Sequence, residues 1–104
     1  MPKYLMMVRT APKEGRDEEY NRWYDEVHLG EICSIPGFTG ARRFNGMEGK
    51  SGWPDVPYLA LYEIDADDPQ QPILELRRRS AAGEIQASDA LDRTRTVSWL
   101  YAQR

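Results

Sequence analysis

The chain has one cysteine and one histidine in 104 residues, no excess of basic residues and no long apolar run. Each shortage removes a class of answer. Cys33 alone cannot close an internal disulfide, and with only His28 beside it in the inventory it cannot complete a zinc site, so no metal centre is expected. Lysine and arginine number 14 against 17 acids, a formal charge of −3, which argues against nucleic acid or an anionic membrane surface as partner. No apolar stretch approaches the roughly 20 residues that cross a bilayer. The opening "MPKYLMMV" is short for a secretion signal, and a cytoplasmic protein is expected. A hydrophobic content of 40% suits a single domain, residues 1–104, with one core. Any chemistry then falls to acid and base side chains without a cofactor.

Short periodic segments separated by breakers fill the chain. "KYLMMVR" at 3–9 reads as a strand apolar on both faces, hence central in a sheet. Residues 17–29 switch to helical spacing, with Asp17 as N-cap and Tyr20, Trp23, Tyr24 and Val27 on one face. Continuing that helix would put Glu31 on the apolar face, so Gly30 is the expected break. "GFTGARRF" at 37–44 is a second strand whose glycines mark a bulge or a close approach. An exposed loop is expected at 45–57. "YLALYEI" at 58–64 is the clearest strand, expected to be buried on both faces. A weaker helix lies within 65–83, with Ile73, Leu74 and Leu76 as its apolar part, and "RTVSWLYAQ" at 95–103 closes the series.

The order βαββαβ is that of an α+β, ferredoxin-like fold: a four-stranded antiparallel sheet with two helices on one face. The other face then carries apolar residues from three strands and needs a cover. A second copy, sheet against sheet, supplies it, so a homodimer is expected. Trp53, in a Gly- and Pro-rich loop, is expected outside the monomer's core, over a pocket mouth or across the dimer seam.

The segment "YNRWYDEVHLGEICSIPGFTGARRF", with "YLALYEID" and "WLYAQ" further on, resembles EthD-like and Dabb-like members of the dimeric α+β barrel superfamily. Trp23, Tyr24, His28, Leu29, Pro36, Gly37, Phe38, Arg42 and Arg43 match their pattern, whereas Gly30 stands where those relatives carry proline. The resemblance implies a dimeric α+β barrel. The superfamily it points to contains lyases, isomerases, cyclases, monooxygenases and haem-degrading enzymes, so function must come from the site.

His28 lies at the edge of the aromatic stripe, where it either caps its helix or reaches the cleft between helix and sheet as an acid or base. Tyr24 would then hold a substrate oxygen and Asp25 would orient the imidazole. Tyr20 and Trp23 are either core or ligand contacts. Arg42 and Arg43 are adjacent on a strand and so point to opposite faces, one of them inward, where it pairs with a substrate carboxylate or a protein acid such as Glu63. Tyr58 and Tyr62 share one strand face and join the same pocket if that face meets the helices. The expected function is proton transfer on an apolar, aromatic or polyketide-like small molecule by a cofactor-independent lyase, isomerase or cyclase. The alternatives are a dimeric ligand-binding protein without turnover and a haem protein with His28 as axial ligand.

Overall fold

The computed structural model describes residues 3–104. Four strands, β1 (Lys3–Thr10), β2 (Phe38–Asn45), β3 (Tyr58–Asp65) and β4 (Val97–Ala102), form one sheet in the order β2-β3-β1-β4. All neighbours are antiparallel. The sheet side formed by Met6, Ala60, Tyr62 and Ile64 packs into one core with Tyr20, Tyr24 and Ile32 of the first helical segment and Ile73 of α3 (Gln70–Ala81). This is the ferredoxin-like arrangement, two helices in one layer on one face of an antiparallel sheet. β1 is central, as an apolar run on both faces requires. The expected irregularity in β2 falls between Phe38 and Gly40, where the pairing with β3 slips.

The first helix departs most from expectation. It runs through Gly30 without a break, as α1 (Asp17–Trp23), a π-helical turn (Tyr24–His28) and α2 (Leu29–Cys33). In the turn Leu29 N–H bonds to the Tyr24 carbonyl, five residues back. Such a turn takes in one extra residue and rotates everything after it by about one residue's angle. The buried row therefore passes from Tyr20 and Tyr24 to Ile32, and Glu31 moves off the apolar face. Both Glu31 carboxylate oxygens accept from the Gln86 backbone N–H at 3.1 Å. Asp17 is not the N-cap either: Arg16 holds that position without a side-chain cap, and Asp17 begins the helix.

β3 is buried on one face only. Ala60, Tyr62 and Ile64 are covered by the helices, while Leu59 and Leu61 stay partly open and Glu63 is exposed. That second face of the sheet also carries Phe44, Trp99 and Tyr101, which are 42%, 48% and 49% exposed. Leu74 points away from the core at 56% exposure, because the buried side of α3 is set by Pro72 and Ile73. Trp53 is 67% exposed and outside the core.

The stretch between α3 and β4, which carries no periodic signal, is held by backbone hydrogen bonds. Lys13 N–H bonds to Ala90 O at 2.7 Å and Asp92 N–H to Ala11 O at 2.9 Å. Ala11 and Ala90 are fully buried at this seam. A 3₁₀ turn, Arg93–Arg95, then leads into β4.

Candidate functional site

The widened turn at Tyr24–His28 decides what the helix shows to the sheet. A cavity of about 350 Å³ opens between the sheet and the helices, walled by Met6, Val8, Ile32, Ile73, Leu76 and Ile85. Its polar groups are His28, Tyr24 and Tyr62, with Arg77, Ser80 and Ser98 at the exposed rim. The loop that brings Ile85 to the wall is pinned at Gln86, whose carbonyl accepts from Trp23 Nε1 at 3.0 Å while its N–H meets Glu31. Continued at ideal pitch, the helix would have put Glu31 in the stripe instead.

His28 is held by rings on two sides. Trp23 stacks on it with centroids 4.5 Å apart, and Tyr24 meets it edge to face at 5.0 Å. Its Nδ1 is buried and has no hydrogen-bond partner among the described residues. Burial, reinforced by the nearby Arg43 guanidinium, lowers its pKa from 6.5 to about 4. At neutral pH the ring is therefore an uncharged imidazole with one N–H donor and one bare lone pair. Above it the Tyr62 hydroxyl donates to the Tyr24 oxygen at 3.3 Å, which leaves the Tyr24 proton available to another acceptor. Burial raises both phenols above the ordinary tyrosine value, so both remain protonated.

Behind Tyr24 lies the inward arginine. Arg43 shares the helix-facing side of β2 and its side chain is 11% exposed. Its guanidinium sits 4.3 Å from the Tyr24 ring centroid and 5.3 and 5.4 Å from those of Tyr20 and Tyr58, and Nη1 pairs with Asp25 at 2.8 Å. Nε and Nη2 are buried without a hydrogen-bond partner among the described residues. The three phenol faces supply part of the stabilisation that hydrogen bonds do not.

No protein-family model matches this sequence, and no curated protein matches it. Solved structures do. An EthD (ethyl tert-butyl ether d) family protein from Bacillus halodurans C-125 superposes with a TM-score of 0.68 at 14% identity, over 100% of each chain. A Dabb family protein with a ferredoxin-like fold from Mesorhizobium loti gives 0.68 at 12% identity, covering 97% of this chain and 96% of that one. A protein from Thermobifida fusca described as a dimeric ferredoxin-like protein of unknown function gives 0.61 at 9%, covering 98% and 92%. The fold is common to all of them. At such identities the likeness stops at the fold, and the site must be read from this chain.

The structure brings together His28, Tyr24 and Tyr62 on one cavity. It separates the other candidates. Asp25 is turned to Arg43, so it does not orient the imidazole. Tyr20 is fully buried with its hydroxyl on Thr10, and that burial raises it to about 12. Trp23 reaches the site only through its stack on His28. Tyr58 lies outside the cavity wall, its hydroxyl donating to Asp17 Oδ2 at 3.2 Å and accepting from Asn21 Nδ2 at 3.3 Å. Arg42 lies on the opposite sheet face, over Phe44 and 4.0 Å from Glu63. Arg77, Ser80, Ser98 and Ile85 went unforeseen. The signal for two of them was present: Ile73, Leu76, Arg77 and Ser80 form one helical row. Among the described residues no cluster of three or more His, Cys, Asp or Glu could hold a metal ion, and no helix is long and apolar enough to cross a membrane.

A second concavity, of about 430 Å³, lies at one end of the sheet and is lined by Lys3, Thr39, Glu63, Asp65, Tyr101 and others. It is larger and holds mixed charge.

Proposed function

We propose that the chain is a small cofactor-independent enzyme in which His28 moves a proton within an apolar, aromatic or polyketide-like substrate bound in the helix-sheet cavity. The observation that carries this is the ring-clamped imidazole of His28, uncharged at neutral pH and set on an apolar cavity beside the Tyr24 and Tyr62 hydroxyls. The lone pair would accept a proton from a carbon or oxygen acid of the substrate. Tyr24 would donate to the oxygen on which negative charge develops, and Tyr62 would hold Tyr24 in place. Returning the proton to another atom gives an isomerase or cyclase, and expelling a group gives a lyase. His28→Ala should lower turnover of the true substrate by about 100-fold or more, the usual worth of a general acid or base, with the fold intact. Wild-type turnover in that variant would take the proton transfer away from His28, whereas binding without turnover in the wild type would leave a ligand-binding protein as the surviving reading.

The working unit would be a homodimer in the cytoplasm. Support comes from the open sheet face, where Leu59, Leu61, Phe44, Trp99 and Tyr101 leave an apolar surface that a second copy would cover. The Thermobifida fusca protein of the same fold is described as dimeric. Haem ligation by His28 is the weaker alternative. A volume near 350 Å³ stands at the small end of the range of about 300–1,000 Å³ for small-ligand sites, and a macrocycle would have to push back Ile73 and Leu76.

A further inference from the structure

Three arginines follow one another in α3, and two of them are neutralised. Arg78 bonds Glu75 at 2.8 and 2.9 Å and reaches Glu84 at 3.3 Å, while Arg79 bonds Glu75 at 2.8 Å. Arg77 has no ion pair among the described residues. It is exposed, and it belongs to the row Ile73, Leu76, Arg77, Ser80 that the helix turns toward the cavity, the first two inside and the last two at the rim. Among the described residues no aspartate or glutamate lines that cavity. A second guanidinium, Arg43, lies behind the Tyr24 ring at 4.3 Å, but Asp25 pairs with it there. The charge at the cavity mouth that an occupant could answer is thus that of Arg77.

We infer that the occupant is an anion: an aromatic or alicyclic molecule whose rings fill the apolar interior and whose carboxylate rests on Arg77 at the mouth. The inference builds on the reading of this cavity as the functional site and adds the class of molecule it takes. A carboxylate suits the planar fork of a guanidinium, which can hold both oxygens at once. The serines at positions 80 and 98 offer further hydroxyl donors at the rim. A cationic occupant would find no acid in the wall, and the Tyr24 face that could receive it is already taken by Arg43. A neutral occupant would leave Arg77 in water, with nothing lost and nothing gained.

Three naphthalene probes of similar size and different charge separate these cases: hydroxynaphthoate, naphthol and naphthylmethylamine. Titration calorimetry on the full chain at neutral pH and low salt should show the naphthoate binding about tenfold or more tighter than naphthol, with the amine weakest. Arg77→Gln should bring the naphthoate down to the level of naphthol without altering naphthol itself, and Arg77→Glu should reverse the order of naphthoate and amine. Because Arg77 is exposed, both variants should fold as the wild type does. Equal affinities for naphthoate and naphthol in the wild type would overturn the inference. So would a preference for the naphthoate that survives Arg77→Gln, or failure of all three to bind. The reading of His28 as the proton carrier fails separately: a naphthoate preference that depends on Arg77, alongside full turnover in His28→Ala, would remove that role from His28 and keep the anion site.

Discussion

Protonating His28 should cost the fold stability over a definite span of pH. The unfolded chain presents an ordinary imidazole near 6.5, whereas in the folded chain burial and Arg43 hold it at about 4. As pH falls below 6.5 the unfolded state gains a proton that the folded state refuses, so stability declines. The contribution is complete above 6.5, falls through the window down to about 4, and changes no further below it. At about 1.4 kcal/mol for each pH unit, the full span is worth about 3 kcal/mol and the part above pH 5 about 2 kcal/mol. His28 is the only histidine, so its ring C–H resonances give one unambiguous titration curve by NMR. Urea unfolding at about pH 7.5 and about pH 5 supplies the energy, with His28→Phe as reference, because a phenyl ring keeps the stack on Trp23 and cannot titrate. Carboxylates that titrate in both proteins cancel in the difference. The wild type should lose about 2 kcal/mol more than the variant between those two conditions. Arg43→Met, which removes the smaller of the two causes, should raise the NMR midpoint part of the way toward 6.5. A wild-type midpoint near 6.5, or parallel losses in the two proteins, would refute the buried and uncharged imidazole on which the proposed chemistry depends.

Two further predictions test the helix and the sheet. Gly30 has helical backbone, and a Cβ there would meet nothing within 4 Å, so Gly30→Ala should stabilise the protein by up to about 1 kcal/mol and raise Tm by a few degrees. A lower Tm would mean that the helix does break at that residue. On the open sheet face, Trp99→Glu should leave the circular dichroism spectrum unchanged and shift sedimentation from dimer to monomer, since an interface of more than about 1,000 Å² cannot bury an unpaired carboxylate cheaply. A wild type that sediments as a monomer at micromolar concentration would remove the dimer from the proposal.

The strands and the layer order were legible because they depend on local signals. Alternation in Tyr58–Ile64 and the doubly apolar run at Lys3–Arg9 name a sheet and a central strand without any long-range knowledge. Adjacency alone placed Arg42 and Arg43 on opposite faces. It could not say which faced inward, because that depends on a pairing register set from outside β2: Arg43 lies opposite Ala60 on the helix-covered side, and Arg42 opposite Leu61 on the open one. Asp25 was assigned to His28 for a similar reason. Three residues along a helix is the only distance a sequence reveals, whereas the partner that wins is a guanidinium 18 positions away on the sheet.

The helix boundary failed for a different and instructive reason. Placing Glu31 on the apolar stripe was correct for an unbroken 3.6-residue period, and ending the helix was one of two ways to avoid burying that carboxylate. The chain takes the other, inserting a residue in the turn at Tyr24–His28 so that the period restarts. The same insertion swings His28 toward the cavity and carries Glu31 to the Gln86 backbone, where it holds the loop bearing Ile85. A conflict between helical periodicity and charge is thus a signal in its own right. Where a polar residue breaks an otherwise good stripe just after a lone histidine, a widened turn deserves the same weight as a helix end, and the two differ in which side chain reaches the sheet.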